Sequence, residues 1–126
     1  MSRACYDTTV LIDGLRGVPR VLKLLREHEG WEQATTAINA YELALGSTTG
    51  DRRSAALDLL ETLEIFPLDS DVAWRAGESM RILRKQGREA PLRDLLVGTI
   101  AREAGYPLFS CDRKFPPLEG LQLIIV

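Results

Sequence analysis

Apolar positions along the chain follow two rhythms. Val21, Leu22, Leu24 and Leu25 recur at helical spacing, which predicts a helix over 19–28, opened by Pro19 and closed by Gly30. Leu57, Leu60 and Leu63 predict a second over about 51–64, and Val72, Ala73, Ala76, Met80 and Leu83 a third that ends at Gly87. Pro91 opens another, with Leu92, Leu95, Leu96 and Ile100 on its buried face and Gly105 past its end. A shorter helix starts near Asn39 and ends near Gly46, and Val10-Leu11-Ile12 begins a helical turn. Between these lie short extended runs at 3–7, 33–37, 65–68, 106–111 and 121–126. Pro67 places the third of them at a sheet edge. The last, Leu-Gln-Leu-Ile-Ile-Val, is too apolar for an exposed edge and suits a covered sheet. Strands alternating with helices predict an α/β fold, a sandwich built on a mainly parallel sheet of about five strands.

With 126 residues and no linker or repeat, the natural reading is one domain over 1–126. The composition is 45% hydrophobic and 27% charged, ordinary for a globular chain. Net charge is −2, which argues against gripping nucleic acid by charge alone. It leaves room for an enzyme whose acids bind a cation, because the ion reverses the local sign. The first residues lack the apolar core of a signal peptide and no stretch could span a bilayer, so a cytoplasmic protein with no membrane partner is expected. Cys5 and Cys111 fit neither a disulfide scaffold nor zinc spacing, and a buried apolar role suits them. His28, the lone histidine, has no triad partners and falls where a helix C-terminus favours a cation.

Four acids stand out, and each has a plain structural reading. Asp7 follows the first strand and could cap a helix. Glu42 lies three residues after Asn39, as in a capping box. Asp94 falls in the first turn after Pro91, where a negative charge suits the helix dipole, and Asp112 begins a turn. Together they read differently. In a parallel sheet, strand C-termini and helix N-termini share one edge, the edge that binds ligands. Four carboxylates meeting there repel unless a cation joins them, and all-oxygen ligands select Mg²⁺ or Mn²⁺. Helix N-termini at the same edge favour phosphate, so the combination points to phosphodiester hydrolysis. From Arg81 to Arg93 the chain carries Arg81, Arg84, Lys85, Arg88 and Arg93 against Glu89 alone. Arg88 and Arg93, with Arg113 and Lys114 beside Asp112, are candidates for a phosphate-contacting rim; a solvated helix face is the plainer alternative.

These segments resemble the PIN-domain family, and within it the VapC-type toxins. Tyr6-Asp7-Thr8-Thr9-Val10-Leu11-Ile12 is similar to the family's opening strand and turn, and Ala40-Tyr41-Glu42-Leu43-Ala44-Leu45-Gly46 to its second motif. The stretch from Leu92 through Asp94 to Ala101 resembles the third, and that from Gly105 through Ser110 and Asp112 to Phe115 the fourth. The resemblance covers essentially the whole chain. It implies a PIN-like three-layer sandwich and an RNA endonuclease dependent on Mg²⁺ or Mn²⁺, with Asp7, Glu42, Asp94 and Asp112 as metal ligands and catalytic acids. Thr8, Thr9 and Ser110 would supply hydroxyls beside the metal or phosphate. A cognate antitoxin and a homodimer are implied partners, with contacts sought in the helical middle, about 51–87. Lys114 stands where many relatives carry a fifth acid, which puts a second metal in doubt. Two rival readings remain at this point: a PIN-fold interaction module with weak or no catalysis, and a phosphoacceptor receiver-like domain, for which the sequence lacks an N-terminal acid pair.

Overall fold

The computed structural model describes residues 2–126. Five strands, β1 (Arg3–Tyr6), β2 (Glu32–Thr36), β3 (Glu64–Phe66), β4 (Leu108–Ser110) and β5 (Leu123–Ile125), form one sheet in the order β3-β2-β1-β4-β5. Every pairing is parallel: Cys5 lies opposite Ala34 on one side and Leu108 on the other. Six helices connect and cover the strands: α1 (Thr8–Leu15), α2 (Pro19–Glu27), α3 (Ala37–Gly46), α4 (Gly50–Glu61), α5 (Ser70–Lys85) and α6 (Leu92–Ala104).

The pleat sorts the core into layers, because successive strand residues face opposite ways. Ala4, Tyr6 and Phe109 meet Val10 and Leu11 of α1, Val21 of α2 and Leu43 of α3 on one face. Cys5 and Leu108 meet Val97 and Ala101 of α6 on the other. Helix α5 packs on α6 through Ala76, Leu83 and Leu95. The result is helix, sheet, helix, the three layers expected.

The strand order places the ligand edge. The chain steps outward from β1 to β2 and β3, then returns across the sheet to lay β4 on the other side of β1. Loops leaving β1 and β4 therefore diverge, and the crevice between them is the topological switch point of the sheet. Receiver domains use the order 2-1-3-4-5, so this topology removes that reading.

Three sequence expectations shift. Helix α3 begins at Ala37 rather than near Asn39, because Thr36 ends β2 and caps the helix, its Oγ1 accepting from the Asn39 N–H at 3.2 Å. The strand expected over 65–68 ends at Phe66, leaving Pro67 outside the ladder, and β3 does lie at an edge. The apolar C-terminal strand is also an edge strand, not a covered one, and Ile125 is 40% exposed.

His28 is not a dipole-paired cation. It caps α2, is 2% exposed, stacks on Trp31 at 3.8 Å between ring centroids and shares a 2.7 Å hydrogen bond between Nδ1 and the Tyr6 hydroxyl. Burial lowers its pKa from the ordinary 6.5, against a smaller opposing effect of Glu27. Below that pH the unfolded chain takes a proton that the folded one refuses. Stability should therefore fall as pH drops through 6.5 toward the lowered value, by at most about 1.4 kcal/mol per pH unit from this residue. Denaturant unfolding between pH 7 and 5 should show this slope in the parent and lose it in His28→Gln. An unchanged slope would place the titration elsewhere.

Candidate active site

The first turn after β1 supplies the centre of the site. Asp7 sits at the N-cap of α1, yet its side chain makes no capping bond. It is fully buried and accepts four others instead. Oδ1 takes Asn39 Nδ2 at 3.2 Å and Arg93 Nη2 at 2.6 Å. Oδ2 takes the Ser110 hydroxyl at 2.8 Å and the Thr9 hydroxyl at 3.1 Å. A capping role would have turned the carboxylate back on its own helix; here it faces the switch-point crevice.

Glu42 lies in the second turn of α3, not the first, since the helix starts earlier than the sequence suggested. Only a 3.5 Å contact from Asn39 Nδ2 remains of the expected capping box. The Thr8 hydroxyl donates to Glu42 Oε1 at 2.6 Å, and Arg93 donates from Nε and Nη2 at 2.6–3.1 Å. Burial alone would raise the Glu42 pKa. Hydrogen bonds from Arg93, Thr8 and Asn39 and the Arg93 charge outweigh it, so the carboxyl lies below its ordinary value. Asp94, in the first turn of α6, accepts from Arg93 Nη1 at 3.0 Å.

Three of the four sequence-selected acids thus gather around one guanidinium, although Asp7 and Arg93 are 86 residues apart and Glu42 and Arg93 are 51 apart. The fourth stands aside. Asp112 lies past β4 on the same edge, and its Oδ1 accepts from the Lys114 N–H at 2.9 Å, the turn role foreseen for it. Its link to the cluster runs through Ser110: the Asp112 N–H donates to the Ser110 hydroxyl, which donates to Asp7. Among the described residues no three Asp, Glu, His or Cys side chains stand close enough to share one ion. The donor set nevertheless fits a hard divalent cation: it is all carboxylate and hydroxyl oxygen, and the three acids already converge on a positive charge.

The expected hydroxyls are all present. Thr8 orients Glu42, Thr9 and Ser110 orient Asp7, and Thr9 Oγ1 also accepts the Cys111 N–H at 2.9 Å, tying α1 to the end of β4. The expected basic rim divides. Arg93 points into the site. Arg88 is exposed and bonds Gln86, and Arg113 and Lys114 are exposed on the loop after β4. Cys5 is buried, and burial, with the Asp7 charge, pushes its thiol up to about 12, so it is inert packing.

Sequence reasoning missed Asn39 as a member of the site. Fully buried, it accepts from the Thr36 hydroxyl at 2.7 Å and donates to Thr8 at 2.7 Å and to Asp7. It fixes β2, α3 and α1 relative to one another. Its position three residues before Glu42 had signalled only a helix start.

Beside Glu42 a groove of about 410 Å³ opens between α1, α3 and α4, floored by Ile12, Leu15, Leu43 and Ala55 and flanked by Arg16 and Arg52. A second, between α5 and α6, is lined by Ala73, Met80, Leu92 and Leu96, and Leu92 stands exposed at its rim. No helix among the described residues is long and apolar enough to cross a membrane.

Comparison with known proteins agrees with this fold. A model of the PIN domain matches residues 4–121. Ribonuclease VapC5 of Mycobacterium tuberculosis (strain ATCC 25618 / H37Rv) is 33% identical over 94 residues, covering 69% of each chain. Among solved structures, DNA-bound VapBC from Salmonella typhimurium superposes with a TM-score of 0.83 at 17% identity, over 98% of this chain and 97% of that one. VapBC2 from Rickettsia felis, bound to a promoter DNA fragment, gives 0.81 at 17% identity over 96% of each. VapBC-5 from Mycobacterium tuberculosis gives 0.68 at 24% identity over the full length of both. The sandwich and its parallel sheet are the fold of these structures.

Proposed function

The chain belongs to the PIN domain family, and from that premise we propose that it is a VapC-type endoribonuclease, the toxin of a toxin–antitoxin pair, hydrolysing RNA phosphodiester bonds with a divalent metal ion. One observation carries the reading: Asp7, Glu42 and Asp94, from three separate elements, converge on a single cation at the switch point of the sheet.

Asp7, Glu42 and Asp94 would hold the ion, with Asp112 closing the set from the β4 loop. Mg²⁺ or Mn²⁺, when bound, would supply the charge that orients a water and stabilises the leaving oxygen. The chain's own residues do the rest. Thr9 and Ser110 keep the Asp7 carboxylate aimed into the crevice, and Thr8 and Asn39 keep Glu42 beside it. The N-terminus of α6 turns its free N–H groups to the same edge, where they suit a phosphate. Arg88, Arg113 and Lys114, all exposed, would meet the backbone of a single-stranded or looped RNA in the cytoplasm.

The antitoxin reading draws on the relatives, whose structures are toxin–antitoxin complexes. The apolar floor beside Glu42 suits an amphipathic partner segment that would cover the site from α1, α3 and α4. The helical face of α5 and α6, with Trp74 and Leu92 exposed, suits the homodimer.

End-labelled RNA tests the activity. Cleavage with Mg²⁺ or Mn²⁺ should stop in EDTA and leave 5′-phosphate and 3′-hydroxyl ends, with water attacking phosphorus and the 3′ oxygen leaving with a proton. A 2′,3′-cyclic phosphate, or full activity in EDTA, would rule the mechanism out.

A further inference from the structure

Arg93 opens α6 one residue before Asp94, on a stretch whose excess of positive charge suggested a surface role. Its side chain turns inward instead. Nη2 lies 2.6 Å from both Asp7 Oδ1 and Glu42 Oε1. Nε lies 3.0 Å from Glu42 Oε2, and Nη1 lies 3.0 Å from Asp94 Oδ1. All three nitrogens of one planar group therefore bond carboxylates, and the three carboxylates belong to three different elements. Such charge-assisted bonds are roughly twice as strong as neutral ones.

The cluster is still unbalanced. Three carboxylates against one guanidinium leave two negative charges, enough to attract a divalent ion. Space is the difficulty. A Mg²⁺ ion needs carboxylate oxygens at about 2.0–2.1 Å. Arg93 holds Oδ1 of Asp7, both oxygens of Glu42 and Oδ1 of Asp94, while Oδ2 of Asp7 is taken by the Thr9 and Ser110 hydroxyls. A guanidinium lying between these carboxylates and a positive ion cannot both bond the same inward-facing lone pairs.

Resting on the metal-dependent reading proposed above, we infer that Arg93 is an exchangeable internal counter-ion: it occupies the cation position of the metal-free site and must leave for the metal to bind. While in place it holds the acids of α1, α3 and α6 in register, so the site is organised before an ion arrives. It also sets the metal concentration at which the site fills, because every binding event gives up the charge-assisted bonds to three carboxylates. The device lies within one chain and needs no partner protein.

Titration calorimetry with Mn²⁺ alone, on the parent, Arg93→Gln and Arg93→Lys, reads the exchange directly. Arg93→Gln should bind Mn²⁺ tenfold or more tightly than the parent. Arg93→Lys, whose single ammonium replaces three bonding nitrogens, should fall between. In the parent, the Arg93 Nε–H proton should be sheltered from solvent exchange in EDTA and lose that protection at saturating Mg²⁺; this NMR reading stands even where Arg93→Gln does not fold. Equal affinities for parent and Arg93→Gln, or a protected Nε–H that persists with Mg²⁺ bound, would overturn the exchange and leave the metal-dependent nuclease intact. No Mn²⁺ binding by any of the three proteins, together with RNA cleavage in EDTA, would overturn both.

Discussion

Asp7→Asn should lower RNA cleavage by at least about 10³-fold while leaving the protein folded. The expected loss exceeds the roughly 10–100-fold attached to residues that merely support metal ligands. Asp7 is the most buried of the three clustered acids, its side chain 1% exposed, and it receives four hydrogen bonds. An amide of the same shape can be accommodated. Its oxygen keeps Arg93 and Asn39, and its nitrogen faces the Ser110 and Thr9 hydroxyls, which can turn from donor to acceptor. The stability cost should therefore stay near about 1–2 kcal/mol, typical of one weakened buried interaction. What the amide cannot replace is the negative charge. Rates measured well below the melting temperature separate the two effects. A variant that keeps more than a tenth of the parent activity would demote Asp7 to a scaffold residue.

The second large effect is thermal. At about 100 times its Kd, Mg²⁺ should stabilise the parent by about 2.7 kcal/mol, a rise of roughly 10 °C in Tm for a domain of this size. Asp94→Asn should lose most of that rise. In EDTA the two proteins should differ by about 1 kcal/mol or less, because Arg93 can donate to the amide oxygen as it does to the carboxylate and only the dipole interaction at the start of α6 weakens. Arg93 sets that small difference: without it, removing one of several repelling carboxylates would stabilise the metal-free protein. If Asp94→Asn keeps the full Mg²⁺ shift, Asp94 serves the helix dipole and is not a ligand.

The elements of the fold were legible because their signals are local. Pro19 and Pro91 mark helix starts, Gly30, Gly87 and Gly105 adopt the positive φ that ends them, and the apolar repeats between are strong. The layer order followed from the alternation of strand and helix. Boundaries failed where two residues could do one job. Thr36 and Asn39 are both good caps, and Thr36 is the one that caps, because Asn39 is drawn into the buried network under Asp7. The covered last strand failed because apolar content reports burial of a face and says nothing of the neighbour in the ladder; β5 has one.

The site was legible to a similar depth. Four acids could be assigned to one edge from topology alone. That three of them meet around Arg93 depends on pairings far apart in sequence, which no local charge count reveals. The run from Arg81 to Arg93 reads as a basic surface, and for Arg84, which pairs with exposed Glu89, that is what it is. The missing signal for Arg93 was its place in the first turn of a helix whose N-terminus opens on the acid edge. A cation there works against the helix dipole, and it is tolerated because carboxylates from elsewhere surround it.

The placing of β1 at the centre of the sheet has a consequence for synthesis. Its neighbour β4 pairs Cys5 with Leu108, and the Ser110 hydroxyl that steadies Asp7 comes 103 residues after it. Chains emerge at about 5–20 residues per second, N-terminus first. While the ribosome is still making α5, Asp7 has neither Arg93 nor Ser110, and its strand is paired on one side only. The site is therefore incomplete until β4 closes on β1 and brings the Ser110 hydroxyl to Asp7.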